Sequence, residues 1–196
     1  ASARTRAMES FDRAAVNRAL EPIGMKLDSK TPIGREAISE AKDKIGAAYD
    51  NLVPQLKVAA DPQFANNVTA LVSGASHLEP NQARAFQTIL RDKVFDKFSP
   101  NGRMTGESFK EVEGELGRIA SDYSSSSVAS ERQLGGALKQ MQAELKDLLM
   151  RSNPDKAKEL KAVNSAYANF LRVEGAAGKT GAEEGVFTAA QLGQSV

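Results

Sequence analysis

A chain of 196 residues with 41% apolar and 26% charged residues has the balance of a globular protein able to bury a core. Lys and Arg number 26 against 25 Asp and Glu, a net charge of +1, so bulk charge does not draw the chain onto nucleic acid or anionic lipid. The absence of cysteine excludes disulfides, thiolate nucleophiles and Cys-bearing zinc sites, and a single histidine, His77, excludes the two-His zinc motifs.

The first predicted helix covers about 4–20 and carries Arg4, Arg6, Arg13 and Arg18 interleaved with Glu9 and Asp12. Pro22–Lys30 reads as a loop. Thr31-Pro32 then opens a second helix, about 32–53, on which Ile38, Ala41, Ile45, Tyr49 and Leu52 recur at steps of three and four and so share one face. Pro54 interrupts or ends it. Asp61-Pro62 opens a third, about 62–77, with Phe64, Val68, Leu71, Ala75 and Leu78 in its stripe; Glu79-Pro80 opens a fourth, about 80–98. Proline suits these starts because the first turn has no intrahelical use for its missing N–H, and Thr31, Asp61 and Asn153 can each accept a bond from a first-turn amide.

After the turn Ser99-Pro100-Asn101-Gly102, a fifth helix of about 105–124 begins near Thr105 and carries Phe109, Val112, Leu116, Ile119 and Tyr123. Ser124–Ser127 is either a break or a weak spot in one long helix. The sixth, about 128–152, carries Leu134, Leu138, Met141, Leu145 and Leu148. Asn153-Pro154 opens the seventh, about 154–175, with Leu160, Val163, Tyr167 and Phe170. Gly175–Gly185 reads as a flexible linker, and Thr188 as the cap of a short last helix. No stretch alternates apolar and polar residues with a strand's period of two. The expectation is an all-α, elongated bundle of about seven helices joined by short loops, spanning 1–178, with a Gly/Ala-rich tail over 179–196.

No run approaches the ~20 apolar residues that cross a bilayer, so no transmembrane segment is expected in this piece. The chain starts at Ala1 without an initiator Met or a signal peptide's apolar core, which suggests a processed protein or part of a longer one.

Chemistry finds few candidates. His77, in Ser76-His77-Leu78-Glu79, suits a helix C-terminus, where the dipole favours it, and no Gly-x-Ser-x-Gly supplies a triad serine. Glu111, Glu113 and Glu115 read as a solvated helix face with Lys110 and Arg118 nearby, since a bundle metal site would need more oxygen ligands from other helices. Glu107-Ser108, Met141-Gln142 and Ala166-Tyr167-Ala168-Asn169 stand in the order seen in lytic transglycosylases. The Gly-Leu before Met-Gln is missing, however, and the first turn of a helix favours a charged Glu107 over the protonated acid this chemistry needs. Gly175, Gly178, Gly181 and Gly185 follow a helix and lack the strand–turn–helix setting of a phosphate cradle. Lys156, Lys158 and Lys161, interleaved with Asp155 and Glu159, leave room for weak DNA contact. Neither cofactor nor metal is expected. The strict spacing of Leu134, Leu138, Met141, Leu145 and Leu148, with Gly135-Gly136 allowing close approach, marks that stripe as the candidate seam between copies; the alternative is core within one chain.

Several phrases occur in a telling order: Asn17-Arg18-Ala19-Leu20-Glu21-Pro22-Ile23-Gly24, Gly34-Arg35-Glu36-Ala37-Ile38, Tyr49-Asp50-Asn51-Leu52-Val53-Pro54 and Leu134-Gly135-Gly136-Ala137-Leu138. Asn153-Pro154, Asn164-Ser165-Ala166-Tyr167-Ala168 and Gly185-Val186-Phe187-Thr188 follow. Together they resemble a helical module of large virion or prophage proteins of tailed bacteriophages. The resemblance implies a non-enzymatic internal or ejection protein that helps move DNA into the host, located in the virion and soluble when isolated. It also implies assembly with itself, as in a ring, and contact with portal or tail proteins. It carries over no catalytic residue. The alternatives are a helical protein–protein interaction module of bacterial origin and a cell-wall hydrolase.

Overall fold

A computed structural model describes the backbone of residues 3–178 and the side chains of residues 12–176. The tail expected over 179–196, with Thr188, lies outside the described residues. Seven α-helices are present among them: α1 Ala3–Leu20, α2 Arg35–Leu52, α3 Pro62–Gly74, α4 Pro80–Lys93, α5 Gly106–Ser124, α6 Ala129–Ser152 and α7 Ala157–Gly178. Two three-residue strands, β1 Lys57–Ala59 and β2 Arg103–Thr105, pair antiparallel with Val58 opposite Met104. The protein is an all-α multi-helix bundle. Where the sequence reading takes 1–178 as one bundle, the chain forms two compact units: α1, α2 and α7 make one, and Val53–Lys156 the other, inserted between α2 and α7. Both joins are marked by proline, Pro54 and Pro154, each in a short 3-10 turn that interrupts the α-helical hydrogen-bond ladder.

In the first unit, Val16, Ala19 and Leu20 of α1 meet Ala37, Ala41 and Ile45 of α2 and Val163, Ala166, Phe170 and Val173 of α7. The stripe of α2 is rotated slightly from the expected one, so Ala37 is buried while Ile38 and Tyr49 lie half-buried at its edge. The expected start at Thr31-Pro32 moves to Arg35. Gly34 has φ 124°, which a right-handed helix cannot contain, and the Thr31 hydroxyl donates to Glu40 instead of capping. The loop before α2 is strapped from both sides. Arg13 donates to the carbonyls of Asp28 and Thr31, Asn17 Oδ1 accepts from the Leu27 amide at 2.7 Å, and Glu40 Oε1 accepts from the Asp28 amide at 2.8 Å. Lys44 Nζ lies 3.2 Å from Glu40.

In the second unit α6 packs chiefly along α5 and also against α3, α4 and β1. The serine run between α5 and α6 is a built break: Arg132 Nη1 donates to the carbonyls of Ser126 and Ser127, at 3.0 and 2.8 Å. The two strands escaped the sequence pattern because three residues are too few to display a period of two. The turn that leads into β2 closes with the Gly102 amide donating to the Ser99 carbonyl at 2.8 Å, Gly102 taking φ 72°. Asn153, expected as a helix cap, serves β1 instead. Its Oδ1 accepts from the Lys57 amide at 3.0 Å and its Nδ2 donates to the Lys57 carbonyl at 2.7 Å, so one side chain replaces a missing neighbouring strand. Ser152 Oγ extends the same edge by accepting from the Ala59 amide at 3.1 Å.

The caps expected at Asp61 and Thr105 are present, and Asp61 does more than cap. Its Oδ1 accepts from the Phe64 amide at 2.7 Å, while Arg151 grips both oxygens, Nε to Oδ2 at 2.7 Å and Nη2 to Oδ1 at 3.0 Å. The Arg151 hydrogen bond is the chief reason its carboxyl is held below the ordinary 3.8. The folded state therefore gains from the charged form above about pH 4, and loses that gain as pH falls through the lowered value. Asp61→Ala is expected to cost about 2 kcal/mol, roughly 1 from the cap and up to 1 from the half-exposed pair. Asp61→Asn, which keeps the cap, is expected to cost about half as much. Urea denaturation at pH 7 measures both, and equal losses would refute the division.

Candidate functional site

Most residues that the sequence marks for chemistry lie in the second unit, where the helices turn them apart. Glu107 is exposed in the first turn of α5, next to the cap in which Thr105 Oγ1 accepts from the Ser108 amide at 3.2 Å. Met141 is fully buried, so it and Glu107 open on no common surface. Of the three glutamates on α5, Glu113 faces Lys146 of α6 at 3.4 Å and Glu115 faces Lys93 of α4 at 2.8 Å, while Glu111 is exposed. The Lys93 hydrogen bond is the main cause holding the Glu115 carboxyl below the usual carboxylate range. Arg118, expected beside these glutamates, pairs with Asp122 at 3.0 Å. A carboxylate drawn to a separate lysine on each side braces helices together; it does not gather ligands. Among the described residues no three His, Asp or Glu side chains converge in a way that could hold a metal ion. His77 is exposed in the 3-10 turn Ala75–His77 that follows α3.

The candidate seam is core. Leu134, Leu138, Met141, Leu145 and Leu148 are each 0% exposed, so none offers surface to a second copy. Gly135 allows a close approach, but to α5 of its own chain: a Cβ there would stand 2.5 Å from Ser124 Oγ and 2.6 Å from the Ser124 amide nitrogen. Gly136 has open space around it. Strict spacing reports that a helix has one apolar face; it carries no information on which partner covers that face.

Beside α4 lies an open groove of about 440 Å³, lined by Val72 of α3, by Arg84, Thr88 and Arg91 of α4, and by Phe95. Arg84 Nη2 donates to Asn81 Oδ1 and Arg91 Nε to Asp92 Oδ1, both at 2.7 Å. Its lining supplies donors and apolar surface, which suits contact more than reaction. Of the four arginines of α1, the side chains of Arg4 and Arg6 lie outside the described residues. Arg13 is a strap on the loop carbonyls, and Arg18 is exposed.

Two features were missed in the sequence. Asp12, read there as one of the acids interleaved with the arginines of the first helix, is 1% exposed. The clue was present: counting back from Leu20, Ala19 and Val16 by helical steps lands on position 12, an apolar slot filled by a carboxylate. The second is the exposed pair Tyr167 and Leu171 on α7, 51% and 45% exposed and four residues apart on one side of the helix. Tyr167 stands in an expected core stripe, but the buried face of α7 runs through Val163, Ala166, Phe170 and Val173 and leaves it outside. Among the described residues no helix is long and apolar enough to cross a membrane. No protein-family model, curated protein or solved structure matches the chain.

Proposed function

We propose that this protein is a non-enzymatic structural component of a tailed-phage particle, an internal or ejection protein that assists genome delivery by self-assembly and contact with portal or tail proteins. The observation that supports the reading is where the quoted phrases fall: on groups that hold helices and loops in place. Asn17 anchors the loop before α2, Gly34 sets the start of that helix, Gly135 lets α5 and α6 approach, and Asn153 grips β1. A protein so built acts through its surfaces. Self-assembly then draws on apolar groups that remain outside, with Tyr167 and Leu171 foremost.

Leu171→Glu is expected to leave thermal stability within about 0.5 kcal/mol of the parent, as for a surface change, and to abolish multimers in sedimentation. Multimers that survive this change place the contact elsewhere. The functional reading itself is tested by protein mass spectrometry of purified particles from the producing strain. Copies of the chain at several per particle are expected, cross-linked to portal or tail components. A chain absent from particles and co-purifying with a bacterial complex would overturn the proposal in favour of a host interaction module.

A further inference from the structure

The only Asn-Gly pair of the sequence, Asn101-Gly102, lies in the turn that leads into β2, with Asn101 exposed. Asparagine before glycine is chemically labile. The following backbone nitrogen can attack the side-chain amide carbon, and glycine has no Cβ to obstruct it. Attack needs two freedoms: the nitrogen must shed its proton, and the side chain must swing in front of it. Ser99 restricts both. Its carbonyl accepts the Gly102 N–H at 2.8 Å and so engages the proton that must leave. Its hydroxyl donates to Asn101 Oδ1 and, in a shared bond, to the Arg103 carbonyl at 2.8 Å, while accepting from the Arg103 amide at 3.1 Å. Gly102 is held from its other side as well, its carbonyl accepting from the Ala60 amide at 2.9 Å where β1 ends.

We propose that Asn101 is a site of spontaneous covalent modification, losing its side-chain amide to attack by the Gly102 nitrogen, and that Ser99 holds the turn closed against this reaction. The deprotonated Gly102 nitrogen bonds to Asn101 Cγ, the Cγ–Nδ2 bond breaks, and ammonia leaves as an imide ring closes. Water then opens the ring. Hydrolysis at Cγ gives an aspartate in an unchanged main chain. Hydrolysis at the backbone carbonyl gives an isoaspartate, whose main chain runs through Cβ and Cγ. Water enters and ammonia leaves, with no oxidant or reductant. The isoaspartate adds a methylene to the main chain of the turn, so the spacing that lets Gly102 reach Ser99 and Ala60 together is lost. The reaction runs from the opened turn and marks it irreversibly.

The test is to hold the full-length chain at mildly alkaline pH and follow it by peptide mapping and mass spectrometry, with chromatography separating aspartate from isoaspartate. Both products are expected at Asn101 ahead of every other asparagine. Ser99→Ala removes the hydroxyl and keeps the backbone carbonyl. It is expected to speed the reaction about 5–30-fold, the effect of one or two hydrogen bonds lost, with the helical dichroism of the chain unchanged. The parent chain unfolded in guanidinium chloride gives a second measurement that does not depend on how the variant folds. It is expected to react faster than the folded parent by at least the same factor. No product at Asn101 in either the folded or the unfolded chain would overturn the site. Equal rates in those two states, or in the parent and a folded Ser99→Ala, would overturn the part assigned to Ser99.

Discussion

Leu145→Glu is expected to unfold the second unit. The side chain is 0% exposed on the α6 face that also carries Met141, Leu148 and Leu149. Removing it forfeits about 2–3 kcal/mol of apolar burial, and leaving a carboxylate in its place adds several more, whether the group stays charged or takes up a proton. The sum exceeds about 5 kcal/mol and so reaches the whole stability of an ordinary domain. Loss of near-ultraviolet dichroism and of the cooperative urea transition is the expected result in the intact chain, with Leu145→Met costing less than about 1.5 kcal/mol as the volume-conserving control. A folded, cooperatively melting Leu145→Glu monomer would restore the stripe as a seam between copies.

Gly106→Ala and Gly114→Ala, eight residues apart on α5, are expected to have opposite signs. A Cβ at Gly106 would lie 2.0 Å from the Val53 carbonyl oxygen and 3.1 Å from Leu56 Cβ. The first obstacle is backbone, which has no rotamer through which to yield. The 53–56 segment must shift, taking β1 off its partners, and a loss of about 3 kcal/mol or more is expected. At Gly114 nothing lies within 4 Å of the new atom. There alanine only removes the entropy cost of glycine in a helix and is expected to stabilise by about 0.5–1 kcal/mol. Chemical denaturation of the two variants measures both, and a neutral Gly106→Ala would mean that the 53–56 crossing is looser than its geometry indicates.

The helices and most of their starts were legible in the amino-acid order because their causes are local. A three/four recurrence of apolar residues makes a face within a few turns, and Asp61-Pro62 or Thr105 satisfies first-turn amides three residues away. Where a short-range signal competed with a distant partner, the partner prevailed. Thr31 turned to Glu40, and Asn153, 1% exposed, turned from capping to Lys57, 96 residues away, because a buried side-chain amide left without partners costs more than a helix end left to water. The stripe through Leu145 was read correctly as apolar, yet its burial inside one unit depended on α5 meeting α6 at Gly135 and Ser124. Spacing along the chain thus determined the elements and the faces they present. Which partner each face or side chain would meet, and whether Asp12 would lie in water or in the core, was decided only when residues far apart in sequence came together, since desolvation and close contact depend on neighbours that local order does not specify.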